Sequence, residues 1–170
     1  IKDLKIKENR QMTRLCDLVY DYVDFIYVTS LPINEETLQY YLKLLGLKGA
    51  VSNGRTEDQV DLSHRYKIVI PEALSKFPTH NMSLATLLKY SPKAIDRIKN
   101  LIRGRDAYIL PGVMSMDDLY VADLLGVPIF GTEPEIANLY TTKSGSKRIF
   151  QSAKVSIPHG EFDIYNKQQL

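Results

Sequence analysis

Cysteine is almost missing from this chain: Cys16 is the one thiol in 170 residues. A single thiol closes no internal disulfide and builds no thiolate metal site, so a reduced, cytoplasmic compartment is the expectation. An excess of one charge is missing too. With 22 basic and 20 acidic residues the net charge is +2, too small to argue for nucleic acid or a membrane surface as partner. No apolar run reaches the roughly 18 residues that a membrane span needs. Neither glycine signature that cradles phosphates occurs, the Walker loop or G-x-G-x-x-G. Repeats and low-complexity tracts are absent, and His64, His80 and His159 are scattered without metal-ligand spacing. There is no signal-peptide pattern, and the chain opens on Ile1 rather than Met, so it is expected to be a piece of something longer.

What is present is ordinary globular material, 44% hydrophobic and 25% charged, at a length that supports a real core. From about Asp3 to Tyr22, Leu4, Met12, Leu15, Cys16, Leu18 and Val19 show helix-like spacing. Phe25–Val28 reads as a buried strand. Asn34 is a good N-cap, Glu35 and Glu36 suit the first turn, and Gly46 predicts the stop of that helix. Lys48 to Arg65 reads as a polar loop or hairpin insertion with a turn at Ser52-Asn53-Gly54. Residues 66–70 form the next strand, ended by Pro71, and a short helix runs from Ser83 to Tyr90. Ser91 as N-cap and Pro92 at N1 start another helix, stopped at Gly104. Ala107–Leu110 and Val127–Phe130 are the third and fourth strands. Between them Ser115 caps a helix with Asp118 at the capping-box position, and Gly126 ends it.

Strands alternating with helices across short turns predict an α/β fold, a Rossmann-like parallel sheet with helices on both faces. Ligands in such sheets sit at the carboxyl ends of strands. Those ends are Thr29-Ser30, Pro71-Glu72, Pro111-Gly112-Val113 and Gly131-Thr132-Glu133.

The stretch from Asp118 to Gly160 carries a more specific pattern. Leu125-Gly126 ends a small-residue helix, and Val127 to Gly131 has the form Val-Pro-x-x-Gly. A short helix over Ile136 to Leu139 follows, then Lys143 and Lys147, then the turn Ile157-Pro158-His159-Gly160. In order and spacing this resembles the junction at which ATP-grasp proteins pass from a Rossmann-like first domain into their nucleotide-binding part. The resemblance implies residues 1–22 as a lead-in helix, 23–140 as a pre-ATP-grasp-like domain and 141–170 as the start of an ATP-grasp domain. It implies that Lys143 reaches nucleotide phosphates, with Lys147 supporting it, and that ATP and magnesium are the cofactors. Thr142 stands where many family members have an acidic residue. The family's second lysine, adenine linker and magnesium ligands normally lie further downstream, so these residues alone are expected not to catalyse.

The residues make a case of their own for Lys143. Thr141, Thr142 or Ser144 would cap a helix running to about Ala153, crowding Lys143, Lys147 and Arg148 into its first turns. Cations there oppose the helix dipole by about 0.3–1 kcal/mol each, and a bound anion would reverse that cost. Gly145 would let a ligand approach closely. Solvated surface charges explain the same residues.

Other candidates are weaker. Asp117 and Asp118 are adjacent, hence about 100° apart on a helix, and capping explains them. Ser30, Ser115 and Thr132 have no visible base to make them nucleophiles. Ile98–Gly104 superficially resembles a calmodulin-binding IQ motif, yet Lys99 holds its glutamine position, and a plain helix end explains it. His159 reads as a turn residue.

Two functional classes follow. One is an ATP-dependent carboxylate–amine ligase with phosphate near Lys143. The other is an ATP-grasp-derived interaction scaffold. Resemblance to the ATP-grasp-like regions of IQ-motif-containing regulatory proteins favours the second. It implies calmodulin bound through regions outside these residues, axonemal partners and a sperm or motile-cilium setting. A free-standing nucleotide-sugar domain is disfavoured by the missing glycine fingerprint.

Overall fold

The computed structural model describes residues 9–55, 61–77, 79 and 81–169. It opens with a 3-10 helix, Asn9–Val19, in which Met12, Leu15 and Leu18 are buried. Their spacing fits the 3-10 repeat, in which residues i and i+3 eclipse. Cys16 falls off that stripe and is exposed, which corrects its placement in an apolar face. Positions 3–8 of the expected helix lie outside the described residues.

Strands β1 (Phe25–Val28) and β2 (Tyr66–Val69) pair in parallel, Phe25 opposite Tyr66 and Val28 opposite Val69. Helix α1 (Glu35–Asn53) connects them. The Asn34 side chain caps it through the Glu36 N–H, as expected, but the helix passes Gly46 and stops at Gly54, where φ is 70°. Gly46 is buried in line with Leu42 and Ala50, so packing overrides its preference to end the helix. The presumed loop over 48–65 is therefore helix as far as Asn53, with a short 3-10 turn at Ser63–Arg65; positions 56–60 lie outside the described residues.

After β2 come helices α2 (Ala73–Lys76), α3 (Leu84–Lys89), α4 (Pro92–Ile102), α5 (Met116–Leu125), α6 (Pro134–Tyr140) and α7 (Lys143–Ser152). Successive strand residues point to opposite sides, and this sorts the core. Ile26, Val28 and Val69 join Leu88, Ala94, Ile95, Ile98 and Val121 in one cluster. Phe25, Tyr27 and Tyr66 join Met12, Leu15, Leu18, Leu42 and Leu62 in the other. The fold is mixed α/β, mostly helical, around a small parallel sheet.

The third and fourth strands are reduced to one parallel bridge between Ile109 and Ile129. Ile109 N–H donates to the Pro128 carbonyl at 2.9 Å, and Phe130 N–H donates to the Ile109 carbonyl at 2.8 Å. The next parallel bonds on either side would need N–H groups from Pro128 and Pro111, which have none. Proline at both flanks limits the ladder to a single residue.

A half-buried arginine ties the strand starts together. Arg65 donates to the carbonyls of Leu18 (3.0 Å), Tyr20 and Val23 and to Asp24. Asp24 also pairs with Arg105. Burial alone would push the Asp24 carboxyl up, but Arg105 and Arg65 together hold it below the usual carboxylate range.

Candidate functional site

The α6–α7 junction is built from two helix ends that satisfy each other. Thr142 is the N-cap of α7; its Oγ1 accepts from Gly145 N–H at 2.9 Å and donates to the Leu139 carbonyl at 3.1 Å. Ser146 Oγ donates to the Tyr140 carbonyl at 3.0 Å. The last carbonyls of α6 and the first amides of α7, orphans of helix geometry, are thus partnered locally. Gly145 is buried in this contact. A Cβ there would lie 2.1 Å from the Leu139 carbonyl oxygen and 2.8 Å from Tyr140 Cα. The close approach that requires glycine at 145 is therefore one between two helices of the same chain.

The three cations part company. Lys143 is exposed, and among the described residues no ion pair or hydrogen bond engages it. Lys147 Nζ stands 5.6 Å from the Phe162 ring centroid. Arg148 pairs with the Asp163 carboxylate, and Asp163 N–H donates to Ser144 Oγ at 3.1 Å. As it stands, this stretch offers a triphosphate one uncommitted cation, with two turned toward the chain's own tail.

The ends of the strands meet their own chain as well. Thr29 and Ser30 are buried, and Thr29 Oγ1 donates to the Leu31 carbonyl at 3.0 Å. The carbonyls of Leu110 and Pro111 accept from Arg14, at 3.1 Å for Leu110. A Cβ on Gly131 would meet Met114 Cε at 2.5 Å. At Pro71-Glu72 the outcome is chemically specific. The Glu72 carboxylate accepts from Lys93 N–H at 2.7 Å and Ala94 N–H at 3.1 Å, capping α4 from a distant part of the chain. Burial works to raise the Glu72 carboxyl, but the amides of Glu72, Lys93 and Ala94, with the Lys93 charge, hold it low. Ser91 stands at the N-cap position, yet its side chain does not cap. Its hydroxyl accepts from Ala73 N–H at 3.0 Å and donates to the Leu87 carbonyl at 2.8 Å. The place at α4 where an anion would sit is filled by a carboxylate of the protein. Pro71-Glu72 was expected as a strand end, but no local signal gave Glu72 the role of a cap, because the amide it caps is 21 residues away.

Asp118 and Ser115 form the expected capping box. Asp117 turns elsewhere, accepting from Thr86 Oγ1 and pairing with Lys89 at 3.0 Å. Those two partners lower its carboxyl, Thr86 most. His64 and His159 are exposed, and His80 lies outside the described residues. Among the described residues no group of His, Cys, Asp or Glu could hold a metal ion. Ile98–Gly104 is the end of α4, with Ile98 buried and Gly104 at φ 71°. A cavity of about 460 Å³ beside α1 is lined by Leu18, Leu45, Leu62, Asp21, His64 and Arg65 among others, none of them from α6 or α7. No described helix is long and apolar enough to cross a membrane.

Comparison with known proteins falls on this junction. Residues 134–170 match the family described as "IQCH-like, ATP-grasp", so the resemblance read from Lys143 and its surroundings is to an ATP-grasp-like class. Over its full length the chain is 47% identical to IQ motif-containing protein H of Danio rerio. It spans 16% of that relative's length. No solved structure matches the chain.

Proposed function

We propose that this segment is an ATP-grasp-derived interaction scaffold within a longer IQ-motif regulatory protein. In this reading residues 23–140 are a Rossmann-like pre-ATP-grasp unit, and 141–170 begin an ATP-grasp unit kept for its shape. The observation that supports it most is the engagement of Lys147 and Arg148 with Phe162 and Asp163, which leaves Lys143 without the neighbours a nucleotide's phosphates need. Metal-bridged phosphate transfer requires several converging charges. Calmodulin would bind outside this segment, and the expected setting is the cytoplasm of sperm or of motile, axoneme-bearing cells.

One observation favours the rival, an ATP-dependent carboxylate–amine ligase: Lys143 is exposed and uncommitted at the first position of α7. Thermal unfolding with and without magnesium-ATP separates the two, since ligand at about 100 times its Kd adds about 2.7 kcal/mol of stability. The scaffold reading expects no shift in this chain or in a longer one that includes the downstream sequence. A shift abolished by Lys143→Ala would overturn it.

A further inference from the structure

The chain leaves α7 and doubles back along it. Lys154 takes a left-handed backbone, φ 57°, while the N–H groups of Lys154 and Val155 donate to the Gln151 and Phe150 carbonyls at 3.0 and 2.9 Å. By Asp163 the chain has returned to the first turn of the helix, held by Ser144. Ser144, Lys147 and Arg148 stand at i, i+3 and i+4, which places them on one face. That face is covered by two adjacent side chains, the Phe162 ring against the Lys147 ammonium and the Asp163 carboxylate against the Arg148 guanidinium. A Cβ on Gly160 would lie 3.5 Å from Lys147 Nζ, so the glycine brings the tail close to the lysine. The cover is not core. The Asp163 and Arg148 side chains keep 28% and 49% of their exposure, and Asp163 sits at φ 57°, a region that side-chain-bearing residues rarely adopt.

We propose that this face of α7 is a docking site for an acidic peptide with an aromatic residue beside its carboxylate, and that Gly160–Asp163 is the chain's own occupant of it. The inference rests on the scaffold reading and names the partner class for it. A guanidinium recognises a carboxylate through charge-assisted hydrogen bonds, and an ammonium recognises the face of an aromatic ring. A partner presenting both groups in sequence exchanges one for one with the tail. An inorganic phosphate satisfies the charges and leaves the ring position unfilled. The resident segment has the advantage of being in the same molecule, equivalent to a competitor at roughly millimolar concentration, so the face is accessible to a second peptide mainly when the tail is weakened.

The test titrates a fluorescent Gly-Glu-Phe-Asp-Ile-Tyr peptide, the sequence of residues 160–165, into three forms of the chain. These are the wild type, the double variant Phe162→Ala/Asp163→Ala, and that variant with Lys147→Ala and Arg148→Ala added. Removal of an intramolecular competitor is expected to tighten binding by about tenfold or more, and removal of the basic pair to abolish the gain. Equal affinity in the wild type and the tail variant overturns the proposal. So does displacement of the tail by inorganic tripolyphosphate with no peptide binding. Circular dichroism and thermal midpoints report whether the double variant folds. If it does not, Asp163→Asn decides by the same criterion, because it removes only the charge. A Lys143-dependent magnesium-ATP shift alongside intact peptide binding would end the scaffold reading and leave this site standing.

Discussion

Residues 9–131 and residues 132–169 are held by different forces. In the first stretch two apolar clusters sit on either side of β1 and β2, and burial supplies the cohesion. In the second, Ala137 is the one buried hydrophobic residue among those described, while Ile136, Leu139, Ile149, Phe150 and Val155 are exposed. Cohesion there comes from Thr142 and Ser146 on the end of α6 and from Arg148 and Lys147 on the tail. The part of the chain that matches a named family is the part with the thinnest core. In this chain Thr142, Gly145 and Ser146 fit two helix ends together, and such a fit does not depend on a wide apolar face.

Core truncation should separate the two stretches most widely. Leu15→Ala removes a side chain that is 1% exposed and should cost about 2–5 kcal/mol, with loss of global stability in denaturant melts. Phe150→Ala, on a side chain 49% exposed, should stay within about 0.5 kcal/mol. Similar costs for the two would erase the distinction.

Next in size is Gly145→Ala, which forces a Cβ to within 2.1 Å of the Leu139 carbonyl oxygen. Overpacking of this kind costs about 1–3 kcal/mol. Hydrogen exchange should show the loss confined to α6 and α7, with β1 and β2 keeping their protection. Loss of protection in the sheet would mean that the two stretches unfold together.

A smaller effect is expected at Glu72. Replacing it with Gln removes the charged cap of α4 and should cost about 0.5–2 kcal/mol, toward the low end because a half-buried carboxylate is screened by solvent. The pH dependence has a definite sign. The Glu72 carboxyl is held below its ordinary value in the folded chain, so the stability it gives is present above about pH 4.5 and is lost as pH falls through the folded value. Asp24 and Asp117 are shifted the same way and add to the acid sensitivity. In urea melts the gap between wild type and Glu72→Gln should therefore close on acidification. A gap that widens would contradict the cap.

How much of this was legible follows from the range of each interaction. The caps at Asn34, at Ser115 with Asp118, and at Thr142 reach two or three residues along the chain. The first two were read directly, Thr142 as one of three candidates, while Ser83, expected as the first helical residue, is itself a cap. β1 and β2 were legible because strands covered on both faces are short, β-rich and largely apolar runs, here Phe25–Val28 and Tyr66–Val69. Gly46 misled because a local stop signal was overruled by burial against a distant segment. The strands at Ile109 and Ile129 were apolar enough, but which prolines face which carbonyls depends on register, and that emerges only on pairing. In the candidate site, Lys143, Gly145 and Lys147 were visible as a charged helix start. Phe162 and Asp163 were not, since the reversal at Lys154 that returns them to α7 has no glycine or Asn-Gly signature. Pro71-Glu72 was legible as a strand end, but the capping role of Glu72 was not, because the amides it accepts from lie 21 and 22 residues away.

The smallest expected effect concerns Cys16, and it sharpens the account of the first stretch. On an α-helix, Met12, Leu15, Cys16 and Val19 would share a face and the thiol would be covered. On the 3-10 helix observed, Met12, Leu15 and Leu18 eclipse, and Cys16 lies about a third of a turn away in solvent. Cys16→Ser should accordingly change stability by less than about 0.5 kcal/mol. The wild-type thiol should react with an aromatic disulfide reagent in the folded state almost as fast as in urea. Protection of the thiol, or a cost above about 1 kcal/mol for the serine variant, would mean that the segment winds with the period of an α-helix and that its contribution to the second core cluster is made by a different set of side chains.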